Sequence, residues 1–159
     1  MPLNGGGPTK LYGYKTSIYD YEWGSDGKKL VFTARESAGQ KDQKLPFQPE
    51  IYEEGMKDRK GFLLNLEEEN PSPKPLKVEG TIYTLRWSPD DSRIAIAVAP
   101  TSLVDDYYMK QDVKVIDAET REVMGDDIKH EGKLADIQWS PDGRQLALLA
   151  GNDIHDVIA

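Results

Sequence analysis

One pattern, centred on tryptophan, occurs three times without a gap, and it constrains the fold more than any other feature of the chain. The copies run 18–34, 82–98 and 134–150 and align Trp23 with Trp87 and Trp139. An aspartate follows each tryptophan by three positions (Asp26, Asp90, Asp142), and a large aliphatic follows by seven (Leu30, Ile94, Leu146). Before the tryptophan the residues alternate. Tyr21 and Trp23 belong to one face, Asp20 and Glu22 to the other, which is the period of two that marks a strand. Ser140-Pro141-Asp142-Gly143 then reads as a turn. Proline presets φ, the aspartate accepts from nearby backbone N–H groups, and glycine tolerates positive φ. The apolar run that follows, such as Leu146-Ala147-Leu148-Leu149-Ala150, suits a strand buried on both faces.

Gly61–Leu66 and Asp112–Asp117 fit a third strand, and Leu76–Val78 and Glu122–Met124 a fourth. Four antiparallel strands repeated around an axis make a propeller blade, and blades packed face to face account for strands that are apolar on both sides. The expected fold is all-β: a partial β-propeller of about three four-stranded antiparallel blades, the last incomplete. The expected organisation is a flexible lead-in, 1–11, and a partial propeller, 12–159. The propeller divides into a blade 12–79 with an insertion at 35–60, a blade 80–131 with an insertion at 99–111, and an incomplete blade 132–159. The insertions follow from spacing. The tryptophans lie 64 and 52 residues apart, against about 40–45 for a plain blade. No long helix is expected.

Closed propellers need about 4–8 blades, so three blades leave apolar faces open. That implies either a piece of a larger protein or a chain that closes by assembling with copies of itself. Leu30, Phe32, Leu146 and Leu148 are expected near such a contact. Of the 159 residues, 38% are hydrophobic and 30% charged, too apolar for a disordered chain and without the roughly 20-residue apolar run of a membrane span. The net charge of −8 speaks against nonspecific nucleic-acid binding, which needs a basic surface. The absence of cysteine excludes disulfides and thiol chemistry. Met1–Lys10 has no signal-peptide core, and the compartment stays open.

The W-S-P-D-G turn followed by L-A-x-x-A resembles the TolB-type propeller repeat. Leu45–Glu54, Ala99–Met109 and the closing Ala150–Asp156 resemble segments of the propellers of bacterial prolyl oligopeptidase-family serine peptidases, in the acylaminoacyl and dipeptidyl peptidase branch. The resemblance covers about Tyr12 to Asp156. It implies a propeller that precedes an α/β-hydrolase domain carrying a Ser–Asp–His triad, caps its active site and restricts access to short peptides. Such a parent would be compatible with the periplasm or secretion. The chain departs from the family in having no G-x-S-x-G elbow, the strained turn that presents a nucleophilic serine. No catalytic residue is therefore carried over, and no cofactor or metal is expected.

The insertions are the best functional candidates, because loops on a repeat scaffold commonly carry recognition. Tyr52, Asp105, Asp106, Tyr107, Tyr108 and Met109 are the candidate contacts for a substrate or partner. Asp105 and Asp106 would make a negative spot able to attract a substrate amine. The alternative is that these residues pin the loops to their own blades. His130 and His155 lie near acids but have no second His or Cys at ligand spacing, and read as polar loop residues. Asp26, Asp90 and Asp142 read as caps for backbone donors, and the three tryptophans as blade packing. Glu67–Glu69, followed by a proline-rich stretch to Pro75, reads as a solvated loop.

Three functions fit. The first is the non-catalytic propeller segment of a serine peptidase, gating substrate access to a hydrolase domain that this chain lacks. The second is a TolB-like module that binds a protein or peptide. The third is a structural assembly unit. The expected partners are the hydrolase domain or further copies of the chain, with a peptide as possible substrate.

Overall fold

The structure, a computed structural model, describes residues 5–36, 52–53, 55–153 and 155. The first blade contains β1 (Ile18–Trp23), β2 (Lys29–Arg35), β3 (Arg59–Asn65) and β4 (Lys74–Pro75), hydrogen-bonded in that order. The second contains β5 (Thr81–Trp87), β6 (Arg93–Ala99), β7 (Asp112–Asp117) and β8 (Val123–Ile128), again in chain order. A short helix, α1 (Val104–Met109), lies between β6 and β7. The third sheet pairs β9 (Leu134–Trp139) with β10 (Leu146–Ala150). Every strand pairing is antiparallel.

The repeat is reproduced at the level of register. Trp23 pairs with Leu30, Trp87 with Ile94 and Trp139 with Leu146. One residue is bulged at the far end of each pair, namely Tyr19, Tyr83 and Ala135. The intervening turns need a left-handed residue at one position. Gly27 and Gly143 supply it at φ 69° and 67°, while the second copy has Asp91 at φ 55°. The recurring aspartates cap these turns. Asp142 Oδ1 accepts from the Ser140 hydroxyl (2.6 Å) and the Arg144 N–H (3.1 Å), and Asp26 Oδ1 from the Lys28 N–H (2.8 Å).

The fourth strands differ from expectation. β4 is two residues long and precedes Leu76. Pro75 has no N–H to donate, and Leu76 turns its side chain into the core while its N–H still reaches the Gly61 carbonyl at 2.9 Å. β8 instead runs on to Ile128.

The main core lies between the first two blades. Val31 and Leu63 on one side meet Ile82, Leu85, Ile94, Ile96 and Ile116 on the other. A second core joins Ala95 and Val113 to Ile137 and Trp139, with Leu146 and Leu148 packed against it. Leu146 and Leu148 therefore face the second blade and not an open end. Leu30 and Phe32 are also covered, because Tyr12 and Tyr14 from the preceding segment lie over them. The Tyr14 and Phe32 rings are 5.4 Å apart, edge to face. Leu30 and Phe32 are buried and Leu146 and Leu148 partly buried within the chain, so these four residues do not themselves form an open face. Exposed apolar groups among the described residues include Tyr21 and Trp23 on β1 and Leu149 on β10. No helix among the described residues is long and apolar enough to cross a membrane.

Candidate binding site

The short turns after β1, β5 and β9 gather at one end of the blades. The described parts of both insertions, and the bulged starts of the first strands, lie at the opposite end. β5 has β1 on one side and β9 on the other, so whatever the bulges and insertions carry is brought together there.

The two insertions are tied to each other. Glu53 Oε1 accepts the N–H of Val104, the first residue of α1, at 2.8 Å. Asp58 accepts from the hydroxyls of Thr81 (2.6 Å) and Ser102 (2.9 Å) and from Lys60 Nζ (3.2 Å). Burial works to raise the pKa of Asp58, but these three bonds outweigh it and hold the group below the usual aspartate value. Asp105 and Asp106 occupy the first turn of α1, where the helix dipole favours negative charge. Gln111 Nε2 donates to the Tyr107 carbonyl at 2.7 Å and closes the other end.

A ladder of cations and rings runs across this end. The Arg59 guanidinium lies between Tyr19 (4.3 Å to the ring centroid) and Tyr83 (4.9 Å), and Arg35 lies 5.2 Å from the same Tyr19 ring. Tyr83 continues to Tyr107 at 4.6 Å, and Tyr107 to Tyr108 at 4.8 Å. Burial raises the Tyr83 pKa even though Arg59 pulls it down, so the phenol keeps its proton. Beneath the ladder is a cavity of about 310 Å³. Arg35, Arg59, Tyr83, Tyr107 and Tyr108 form its polar and aromatic wall, and Val104, Leu134 and Ile137 are among its apolar lining. Asp136 also reaches the cavity, but Arg86 pairs with it at 3.1 Å.

Of the residues expected from sequence, Tyr107 and Tyr108 line this cavity. Asp106 is buried, and its carboxylate is taken up by Lys110 (2.7 Å) and the Thr101 hydroxyl (2.6 Å), which lower its pKa in that order. The paired negative spot of Asp105 and Asp106 does not form as such. Asp105, Met109 and Tyr52 are exposed and lie outside the cavity lining. Of the stretch 45–54, only Tyr52 and Glu53 are among the described residues. Sequence reasoning did not single out Tyr19, Tyr83, Arg35 and Arg59. A signal existed: Tyr19 and Tyr83 hold the same repeat position, and Arg35 and Arg59 pair in register at the two edges of the first insertion. Among the described residues no group of three His, Cys, Asp or Glu could hold a metal ion. His130 Nδ1 contacts the Gly132 carbonyl at 2.8 Å, and the His155 N–H donates to Asp153.

No protein-family model matches the chain, and no curated protein matches its sequence. Solved structures do match its fold. The β-propeller domain of Cps50 (Swd1) from Myceliophteria thermophila superposes with a TM-score of 0.56 at 12% identity, over 86% of this chain and 36% of that one. The β-propeller domain of the Trilobed protease from Pyrococcus furiosus gives 0.55 at 14% identity, over 86% and 35%. The acylaminoacyl peptidase of Pyrococcus horikoshii gives 0.56 at 14% identity, over 85% and 17%. The chain is a β-propeller segment, and it spans about a third of the length of the two propeller domains it matches.

Proposed function

We propose that this segment belongs to a peptidase, and that its insertion-bearing end restricts which peptides reach a catalytic domain lying outside these residues. The observation that carries the reading is the interlocking of the two insertions around one aromatic cavity. The Glu53–Val104 bond and the Asp58 cluster fix the loops against each other, and a fixed rim selects by size. The fold likeness to propellers of two peptidases supports the choice of partner domain. Gating needs no nucleophile in the propeller. The rival reading, a peptide-binding module with no catalytic partner, would use the same cavity.

The test is labelling of the native polypeptide with a fluorophosphonate, which reacts with activated serines. One labelled serine outside residues 1–159 is expected. Absence of label in the native polypeptide, or label on a serine within these residues, contradicts the proposal.

A further inference from the structure

We infer that the cavity binds a terminal carboxylate attached to an apolar or aromatic residue, with Arg59 and Arg35 as the anion-binding pair. The inference rests on the reading above for the ligand being a peptide, and it adds which end of the peptide enters.

Two observations point to an anion. First, Arg35 and Arg59 line one cavity, their guanidiniums both contact the Tyr19 ring, and neither has a carboxylate partner among the described residues. By contrast, Lys60 pairs with Asp58 and Lys110 with Asp106. In a chain with a net charge of −8, two guanidiniums without a carboxylate partner at one cavity leave a local positive charge that an anion would neutralise. Second, Arg35 Nε is buried without a hydrogen-bond partner, so this guanidinium is not satisfied by groups of the chain.

The type of anion follows from the shape of the donors. The Arg59 guanidinium is flanked by two rings, at 4.3 Å from the Tyr19 centroid and 4.9 Å from the Tyr83 centroid. A guanidinium without a carboxylate partner has a planar fork of N–H donors that matches a carboxylate bidentately. The rest of the wall is aromatic and apolar: Tyr107, Tyr108, Val104, Leu134. It would take the side chain of the residue bearing the carboxylate. At about 310 Å³ the cavity is near the lower end of ligand pockets, which run from roughly 300 Å³, and suits one residue better than a long peptide.

Calorimetric titration of the 159-residue chain with N-acetylphenylalanine and with its amide tests this without any hydrolysis, so it can fail independently of the peptidase reading. The acid is expected to bind at least roughly tenfold more tightly than the amide, the difference a charge-assisted pair makes. Arg59→Gln should abolish that preference, and Arg35→Gln should reduce it, with the thermal melt of each variant confirming that it folds. Equal binding of acid and amide, or no binding of either, would overturn the inference, as would an unchanged preference in both variants. N-acetylglutamic acid α-amide separates a side-chain carboxylate from a terminal one. Binding as tight as that of N-acetylphenylalanine would overturn the terminal assignment, and binding roughly tenfold weaker is expected.

Discussion

The carboxylate of Glu22, on the first strand of one blade, accepts the backbone N–H of Trp87, on the first strand of the next. Asp20, two residues earlier on the same face, accepts the Leu85 N–H at 3.4 Å. An acid side chain thus supplies hydrogen bonds that the β5 backbone would otherwise lack where blades diverge. Burial raises the Glu22 pKa above its ordinary 4.5, although the Trp87 bond and the charge of Arg86 pull it down. A raised carboxyl pKa means that the folded state holds the proton more tightly than the unfolded state does. Stability therefore falls as pH rises through the folded pKa, and ionised Glu22 carries a penalty at neutrality. Glu22→Gln keeps an acceptor for Trp87 without the charge. It is expected to melt at an equal or higher temperature at pH 7 and to lose part of the gain that the native chain shows on mild acidification. A clear drop in melting temperature at pH 7 would count against this.

Asp90 has the opposite sign. The Ser88 hydroxyl, then the Ser92 hydroxyl and N–H, hold its pKa at about 2, below the ordinary 3.8. Its contribution is complete above the unfolded value and is lost as pH falls from about 4 toward about 2. Asp90→Ala should lower the urea midpoint at pH 7, and the difference from the native chain should shrink across that acid window. A difference that stays constant down to pH 2 would show that the charge of Asp90 is immaterial.

Asp91 links two turns at a backbone cost. At φ 55° it occupies the position that glycine holds in the other two copies. Its carboxylate accepts from the Ser25 N–H (2.8 Å), the Ser25 hydroxyl (2.7 Å) and the Asp26 N–H (3.3 Å) of the neighbouring blade. Asp91→Ala loses these bonds and keeps the strained conformation, whereas Asp91→Gly loses the bonds and relieves a strain of about 1 kcal/mol. Denaturant unfolding should therefore rank the native chain and the glycine variant both above the alanine variant. Alanine equal to or better than glycine would contradict the account.

The tryptophans are equivalent in register and unequal in environment. Trp139 Nε1 donates to the Arg86 carbonyl at 3.0 Å, and the Arg93 guanidinium lies 4.9 Å from its ring. Trp23 is 45% exposed, while Trp87 and Trp139 are each 7% exposed. Trp139→Phe should cost about 1–3 kcal/mol, and Trp23→Phe should stay within about 0.5 kcal/mol. Equal losses by equilibrium unfolding would mean that the third sheet is not held to the second in this way.

The blades were legible because their signals are local and repeated: alternation before Trp23, a turn with Asp at a fixed offset, an apolar run after it. The short β4 was not, since the inward turn of Leu76 depends on the Ile82 side chain across the blade interface. At the candidate site, Tyr107 and Tyr108 stood out as aromatics in an insertion. Arg35 and Arg59 did not, because as single residues at strand ends they resemble ordinary solvated charges. Only the β2–β3 register puts them opposite each other, and only the bulge at Tyr19 sets a ring against both. Asp106 misled for the related reason that its partners, Thr101 and Lys110, become neighbours only once α1 forms.

The central claim, that the interlocked insertions form a selective rim, is tested most directly by kcat/KM for peptides of increasing length. The comparison is between the native polypeptide and a variant in which residues 101–110 are replaced by a short glycine–serine link. The native polypeptide should lose efficiency steeply as peptides lengthen, and the variant should lose much less. The same length dependence in both would contradict a gating role for this end of the propeller.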